Sequence, residues 1–174
     1  MNREQEHPSD TRGNRLIITE VRGRIGKKDK ARVEEFVYNI LSYFNVAKRL
    51  RRTVEVDVHF VDTLEKGGIL GYCWGDKSDI KIQLARRYTK SERAGAKKWL
   101  TKERDLFVNI AHEVVHAKQF IFGEINLTKD SIYRKGDYKF DCQLTEYRQQ
   151  PWEVEAYGLE DVLTHLYYDR EWED

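Results

Sequence analysis

The sequence predicts an α+β fold with a mixed or antiparallel sheet. The chain has 174 residues, of which 40% are hydrophobic and 35% charged, a composition typical of one globular domain with a buried core. Segments in which apolar residues alternate indicate strands, and segments with an apolar residue every three or four positions indicate helices. Their order is β-α-β-β-β-α-hairpin-α, which favours a sheet packed against helices.

The first part of the chain is predicted to contain a strand, a helix and a second strand. Residues 16–21 are rich in β-branched residues, and residues 29–50 carry a helical stripe. The apolar members of that stripe are Val33, Phe36, Val37, Ile40, Leu41, Phe44 and Ala47. Residues 54–60 alternate between apolar and polar side chains, which indicates a half-buried strand. His59 lies on the polar side of this strand and is interpreted as an exposed residue, not a metal ligand.

The middle of the chain is predicted to form a hairpin and a polar connection. Its strands are residues 69–74 and 80–84, and the intervening Gly-Asp-Lys-Ser has the residue types of a tight turn. Residues 86–98 are polar and are interpreted as a connection or a frayed helix start.

Two helices and a second hairpin are predicted to follow. The first helix spans residues 102–122, and the hairpin spans residues 132–140 around a polar turn. Pro151 is a favoured first residue for the last helix, which is predicted to reach residue 168.

The domain is predicted to span residues 15–168. Residues 1–14 are polar, lack the apolar core of a signal peptide and are predicted to be a disordered tail, and residues 169–174 form an acidic tail. No run approaches the ~20 apolar residues of a membrane helix. Cys73 and Cys142 form no CxxC motif, and we expect two reduced thiols in a cytoplasmic protein.

The charge balance argues against a nucleic-acid or membrane partner. The net charge is +1, and the basic clusters at residues 22–32, 48–52 and 86–98 are interleaved with acids or lie beside helices. They are therefore interpreted as solvated faces.

Residues 112–116 read His-Glu-Val-Val-His within the predicted helix 102–122. A helix turns once in about 3.6 residues, so His112 and His116 lie on one face and can bind one zinc ion. Glu113 lies next to them, where its carboxylate can reach a water on the metal. The apolar residues of the opposite face suit packing on a sheet: Phe107, Ile110, Ala111, Val114, Ala117 and Ile121. The motif predicts a hydrolytic zinc site; the alternative is a helix whose two histidines are solvated or bonded to neighbours.

A third ligand is expected because catalytic zinc normally has three protein ligands and one open position. The start of the last helix offers Glu153 and Glu155. Acids are favoured in the first turn of any helix, so neither is a ligand by position alone. Glu155, and not Glu153, falls on the apolar side of the helix with Trp152 and Leu159, so the residues leave both open.

The motif followed by Glu153-x-x-Ala156 on a second helix resembles the glutamate-zincins. That resemblance implies a zincin-like fold in which the sheet packs against the HExxH helix and the C-terminal helix supplies Glu153 as the third ligand. It also implies that the small Ala156 lets the two helices approach. Several such families carry an Asp where this chain has Tyr157, so the resemblance supplies no carboxylate there.

Residues 71–74, 112–120 and 147–156 together resemble small, uncharacterised proteins of phages and bacteria that are assigned as metallopeptidases. The resemblance covers roughly residues 50–160. It implies a zinc hydrolase and no particular substrate class.

The expected activity is that of a zinc metalloendopeptidase that takes a protein or peptide substrate. His112, His116 and Glu153 would hold one Zn²⁺ per chain, which lowers the pKa of its water toward ~7. Imidazole and carboxylate also accept Mn²⁺ and Fe²⁺. Glu113 would act as the general base.

Tyr147 is the nearest expected donor to the developing oxyanion, with Tyr157 next. A peptide substrate would add as an extra strand to residues 71–74 or to residues 80–84.

Two other functions stay open on the sequence. The basic clusters fit a nucleoprotein-associated, protease-like module, although the low net charge and the lack of zinc-ribbon cysteines argue against it. A zinc-stabilised interaction protein could keep the motif without turnover, but it would not need Glu113.

Overall fold

The computed structural model describes residues 17–46, 53–64, 70–86, 102–125, 132–135, 138–141 and 145–168. It has an α+β architecture, as the sequence predicts. The strands are β1 (Ile17–Gly23), β2 (Val54–Val61), β3 (Gly71–Gly75), β4 (Asp79–Ala85), β5 (Ile132–Lys135) and β6 (Tyr138–Asp141). The helices are α1 (Lys27–Tyr43), α2 (Lys102–Phe122) and α3 (Pro151–Tyr167), and a short 3-10 helix, Tyr147–Gln149, precedes α3.

The four-stranded sheet is mixed, with the strand order β1-β2-β4-β3. The strand β2 runs parallel to both β1 and β4, whereas β3 pairs antiparallel with β4 and lies at the edge of the sheet among the described strands. The backbone of β4 is therefore paired on both sides. The prediction that a peptide could pair with residues 80–84 is therefore wrong, because this strand is interior. Residues 71–74 lie in β3, whose second side has no strand partner among the described residues.

The turn between β3 and β4 follows the prediction. The Oδ1 atom of Asp76 accepts hydrogen bonds from the backbone amides of Ser78 and Asp79, at 2.7 and 2.9 Å. Gly75 has φ +149°, and an added Cβ would collide with the carbonyl oxygen of Asp79. A glycine is therefore required where the chain enters this turn.

The core lies between one face of the sheet and the helices. The buried residues of β2 are Val54, Val56, Val58 and Phe60, while His59 on the opposite face is exposed, as predicted. All six apolar residues predicted for the hidden face of the motif helix are buried. Helix α2 packs against β3 and β4 and along α3, which places its polar edge beside the edge strand and the last helix.

Helix α1 ends earlier than predicted. The sequence pattern extends it to residue 50, but the helix ends at Tyr43 and Asn45 has φ +57°. An α-helix cannot continue through that left-handed conformation, so the predicted helix is interrupted after Tyr43. Val46 is helical again, and residues 47–50 of the predicted helix lie outside the described residues. An apolar stripe indicates which face of a helix is buried. It does not indicate that a single residue such as Asn45 interrupts the helix.

Several sequence predictions lie outside the described residues. They are the tails 1–14 and 169–174, the connection after residue 86, and the state of Cys142. Cys73 is a free thiol. Among the described residues, no helix is long and apolar enough to cross a membrane.

Candidate metal centre

Helices α2 and α3 bring together three side chains that could hold a metal ion. One helical turn of α2 separates His112 from His116, so both imidazoles project toward α3. Pro151 occupies the start of α3, which places Glu153 in the first turn of that helix. Ala156, one turn further along, is fully buried and adds little bulk where the helices meet. The predicted residues His112, His116 and Glu153 are all buried at this contact.

The three donor groups form a nearly equilateral triangle. The Nε2 atoms of His112 and His116 are 3.1 Å apart. Glu153 places Oε2 at 3.3 Å from Nε2 of His112 and Oε1 at 3.3 Å from Nε2 of His116. Among the described residues, this is the group of His, Cys, Asp and Glu whose donor atoms converge.

Glu155, the alternative third ligand, points elsewhere. One of its carboxylate oxygens is 2.7 Å from Nζ of Lys118, and the other accepts a hydrogen bond from Nε2 of Gln119 at 3.0 Å. The structure therefore brings Glu153, and not Glu155, to the imidazoles. The apolar stripe of α3 was a poor guide because the side of the helix that faces the histidines is not its apolar side.

The residues present fit a zinc ion. Tetrahedral zinc with ligands at ~2.0–2.1 Å requires donor atoms roughly 3.3–3.4 Å apart, close to the spacing found here. Glu153 is 2% exposed, and its Oε2 atom, although 3.3 Å from Nε2 of His112, accepts no well-aligned hydrogen bond among the described residues. Burying a carboxylate oxygen without a partner is costly, and a cation at this position would satisfy it.

The Nδ1 atom of each imidazole, on the side of the ring away from the triangle, contacts a further side chain. The Nδ1 atom of His112 is 2.7 Å from Oε2 of Glu160, and Nδ1 of His116 is 2.8 Å from Oε1 of Gln119. An acceptor at Nδ1 favours the tautomer whose Nε2 carries a lone pair for a metal. The sequence reasoning missed both residues. Their signals were positional: Glu160 lies two turns after Glu153, and Gln119 lies one turn after His116.

The electrostatics of the triangle favour a cation. Burial lowers the pKa of His112, but hydrogen bonds to Glu153 and Glu160 outweigh it and raise the pKa to about 9. Burial raises the pKa of Glu153, but hydrogen bonds to His112 and His116 prevail and lower it to about 2. Without a metal, the ionised Glu153 is thus balanced by a proton on His112.

The side chain of Glu113, on α2, is buried against the edge strand β3. A Cβ added to Gly71 of β3 would lie 2.5 Å from Oε1 of Glu113, so the glycine leaves the space that the carboxylate fills. Burial raises the pKa of Glu113 to about 7, although His116 and His112 oppose the shift. A carboxylate with this pKa can accept and release a proton near neutral pH.

The two candidate tyrosines occupy different positions. Tyr147 is 60% exposed as a whole, yet burial of its hydroxyl and a hydrogen bond to Glu153 raise its pKa well above the usual value. The ring of Tyr157 instead packs edge-on against that of His112, with centroids 4.7 Å apart. The Tyr147 hydroxyl, which keeps its proton, is thus a hydrogen-bond donor at the site.

Two cavities meet at Glu113 and Tyr147, which line both. The larger, of about 450 Å³, extends past His112 to Tyr157 and Arg148. The smaller, of about 120 Å³, lies beside His116 and has an apolar wall. That wall is formed by Phe120, Ile125 and Trp152. The strand β3 borders both cavities, so an extended ligand along this edge would pass over Glu113.

Compared with family models, curated proteins and solved structures, the chain matches none.

Proposed function

We propose that this protein is a zinc-dependent peptidase. The observation that carries the proposal is the triangle of His112, His116 and Glu153 with a buried carboxylate, Glu113, beside it at the floor of an open cavity. A ligand triangle alone would fit many metal sites. Hydrolysis requires in addition a neighbouring group that can act as a general base, and the buried carboxylate of Glu113 lies beside the triangle.

The donor count supports a catalytic site over a structural one. Structural zinc sites are closed by four protein ligands, whereas catalytic sites use three and keep one position open. Within the described ranges, three donors converge. The cavity of about 450 Å³ that reaches His112 and Glu113 gives a substrate access to that open position.

Each residue of the site has a distinct role in the proposed mechanism. Bound zinc would supply Lewis acidity, polarising a carbonyl and lowering the pKa of water. Glu113, whose carboxylate lines the cavity beside His112, takes the proton of the attacking water and delivers it to the leaving amine. The Tyr147 hydroxyl donates a hydrogen bond to the oxygen on which negative charge develops.

The edge strand supplies the surface that orients a peptide. The β3 backbone is paired with β4 on one side, and its other side borders both cavities. An extended peptide can pair with this free edge, which would hold its backbone over Glu113. This arrangement favours a peptide bond over other hydrolysable groups as the substrate.

The test is cleavage of a complex peptide mixture by the zinc-loaded protein, with products identified by mass spectrometry. Wild type should cut at reproducible positions, whereas Glu113→Gln should retain zinc and lose activity by roughly 10²–10⁴-fold. Glu35→Gln, an exposed change on α1, is the matched control and should cut like wild type.

Two results would contradict the proposal. Activity that survives Glu113→Gln would remove Glu113 from its role as the base. A wild-type protein that binds zinc but cuts no peptide would favour the zinc-stabilised interaction protein.

A further inference from the structure

We propose that Gln119 is a positioning residue that sets two of the three metal donors at once. It fixes the tautomer and direction of His116, and it anchors the backbone from which Glu153 projects. The inference rests on the metal site of the proposed function and adds to it a residue outside the HExxH motif.

The hydrogen bonds of Gln119 leave its amide a single orientation. Its side chain is fully buried, its Oε1 is 2.8 Å from Nδ1 of His116, and its Nε2 donates to the backbone carbonyl of Trp152 and to Oε2 of Glu155, both at 3.0 Å. A carbonyl and a carboxylate can only accept. If the amide were reversed, its oxygen would face two acceptors, so Oε1 must face the imidazole.

That orientation determines the tautomer of His116. Because Oε1 only accepts, Nδ1 of His116 must carry the proton and donate it. In the neutral imidazole that binds a metal, the Nε2 atom then has a lone pair, and it is this atom that lies 3.3 Å from Oε1 of Glu153. Gln119 therefore holds His116 in the form that a metal requires.

The second bond of Gln119 acts on the other helix. Trp152 directly precedes Glu153, so a hydrogen bond to its carbonyl fixes the first turn of α3 relative to α2. The imidazole of His116 and the carboxylate of Glu153 are thus positioned by one side chain. This explains a buried amide at a place where an apolar residue would suffice for packing.

Lys118 provides the comparison that separates positioning from helix packing. It also joins the two helices, with Nζ 2.7 Å from both Glu124 and Glu155, but no bond from its ammonium group to a metal-binding residue is seen. If Gln119 merely tied α2 to α3, loss of Lys118 would affect the metal site in the same way.

The experiment measures the zinc dissociation constant by chelator competition and the visible absorption of the Co²⁺-loaded protein. Gln119→Met should weaken zinc binding about 10–100-fold and change the cobalt spectrum. Gln119→Glu keeps an acceptor for His116 but loses the donor to the Trp152 carbonyl, so its zinc affinity should lie between those of wild type and Gln119→Met. Lys118→Met should lower the unfolding temperature while leaving affinity and spectrum unchanged.

Equal zinc affinity and an unchanged spectrum in Gln119→Met would overturn the role of Gln119, as would equal losses in Lys118→Met. Failure of wild type to bind either metal would instead overturn the site itself. If Gln119→Met does not fold, NMR of the zinc-loaded wild type decides. The Nδ1 proton of His116 should exchange slowly with solvent, and exchange as fast as that of a free imidazole would contradict the proposal.

Discussion

Glu153 and Glu155 lie two residues apart on one helix but in different surroundings. The carboxylate of Glu153 is buried and faces two imidazoles, with one oxygen 3.3 Å from each Nε2 atom. Glu155 contacts Lys118 and Gln119. The first should govern metal affinity, whereas the second should govern how firmly α2 and α3 hold together.

Substitution of the two glutamates by alanine should separate these effects. Glu153→Ala should weaken zinc binding by more than about 100-fold, beyond the range seen for residues that only support a ligand. Glu155→Ala should lower the free energy of unfolding by about 1–3 kcal/mol, because it leaves buried donors short of a partner, with a smaller effect on zinc. Chelator competition and denaturant unfolding measure the two quantities, and the reverse ranking for zinc would make Glu155 the ligand.

Protonation of His112 should make zinc binding depend on pH. The pKa of His112 in the metal-free protein is raised to about 9, so its imidazole carries a proton below that pH, and zinc must displace it. Glu153, with a pKa of about 2, is ionised throughout. Affinity should therefore rise about tenfold per pH unit between pH 7 and 8.5. Calorimetric titrations in buffers of different ionisation enthalpy would detect the released proton; pH-independent affinity would contradict this.

Among the secondary-structure elements, strand β3 and helix α2 approach closely where Gly71 lies against the side chain of Glu113. Gly71 of β3 lies against the side chain of Glu113 on α2, and a methyl group there would overlap the carboxylate. The direct contacts of the two histidines and Glu153 do not involve this position. The strand therefore sets the space available to the carboxylate of Glu113, the proposed base.

Gly71→Ala should displace Glu113 and leave zinc in place. We expect kcat to fall by about 100-fold, the effect of misplacing a catalytic group by roughly 1 Å. Gly158→Ala on α3 is the matched control, because an added methyl meets no atom within 4 Å and alanine favours the helix. Peptide cleavage and zinc content measured side by side test this; loss of zinc in Gly71→Ala would contradict it.

Helices and strands with a regular apolar pattern could be predicted from the sequence. The side-chain contacts between one helix and another could not. Helix α2 begins and ends at the predicted residues because its stripe is uninterrupted, whereas Asn45 stops α1 inside an equally good stripe. His112 and His116 follow from a local spacing. Gln119 and Glu160 lie at helical spacings from His116 and Glu153, but spacing within one helix does not show which groups of the other helix they contact.

At the level of the whole molecule, the site is assembled from three separate parts of the chain. The two histidines come from α2, Glu153 comes from α3, and the space for Glu113 comes from β3. The mixed sheet makes this possible because the antiparallel β3 forms the edge beside α2. Among the described residues, the three converging donors come from both α2 and α3. We therefore expect metal binding only when these two helices are packed together.

The most direct test of the account is the zinc content of the purified, untagged protein after zinc loading and removal of excess metal. We expect about one zinc per chain in wild type and in His59→Ala, whose histidine is exposed on the far face of the sheet. His112→Ala should lose it. No zinc in wild type, or equal zinc in His112→Ala, would contradict the central claim.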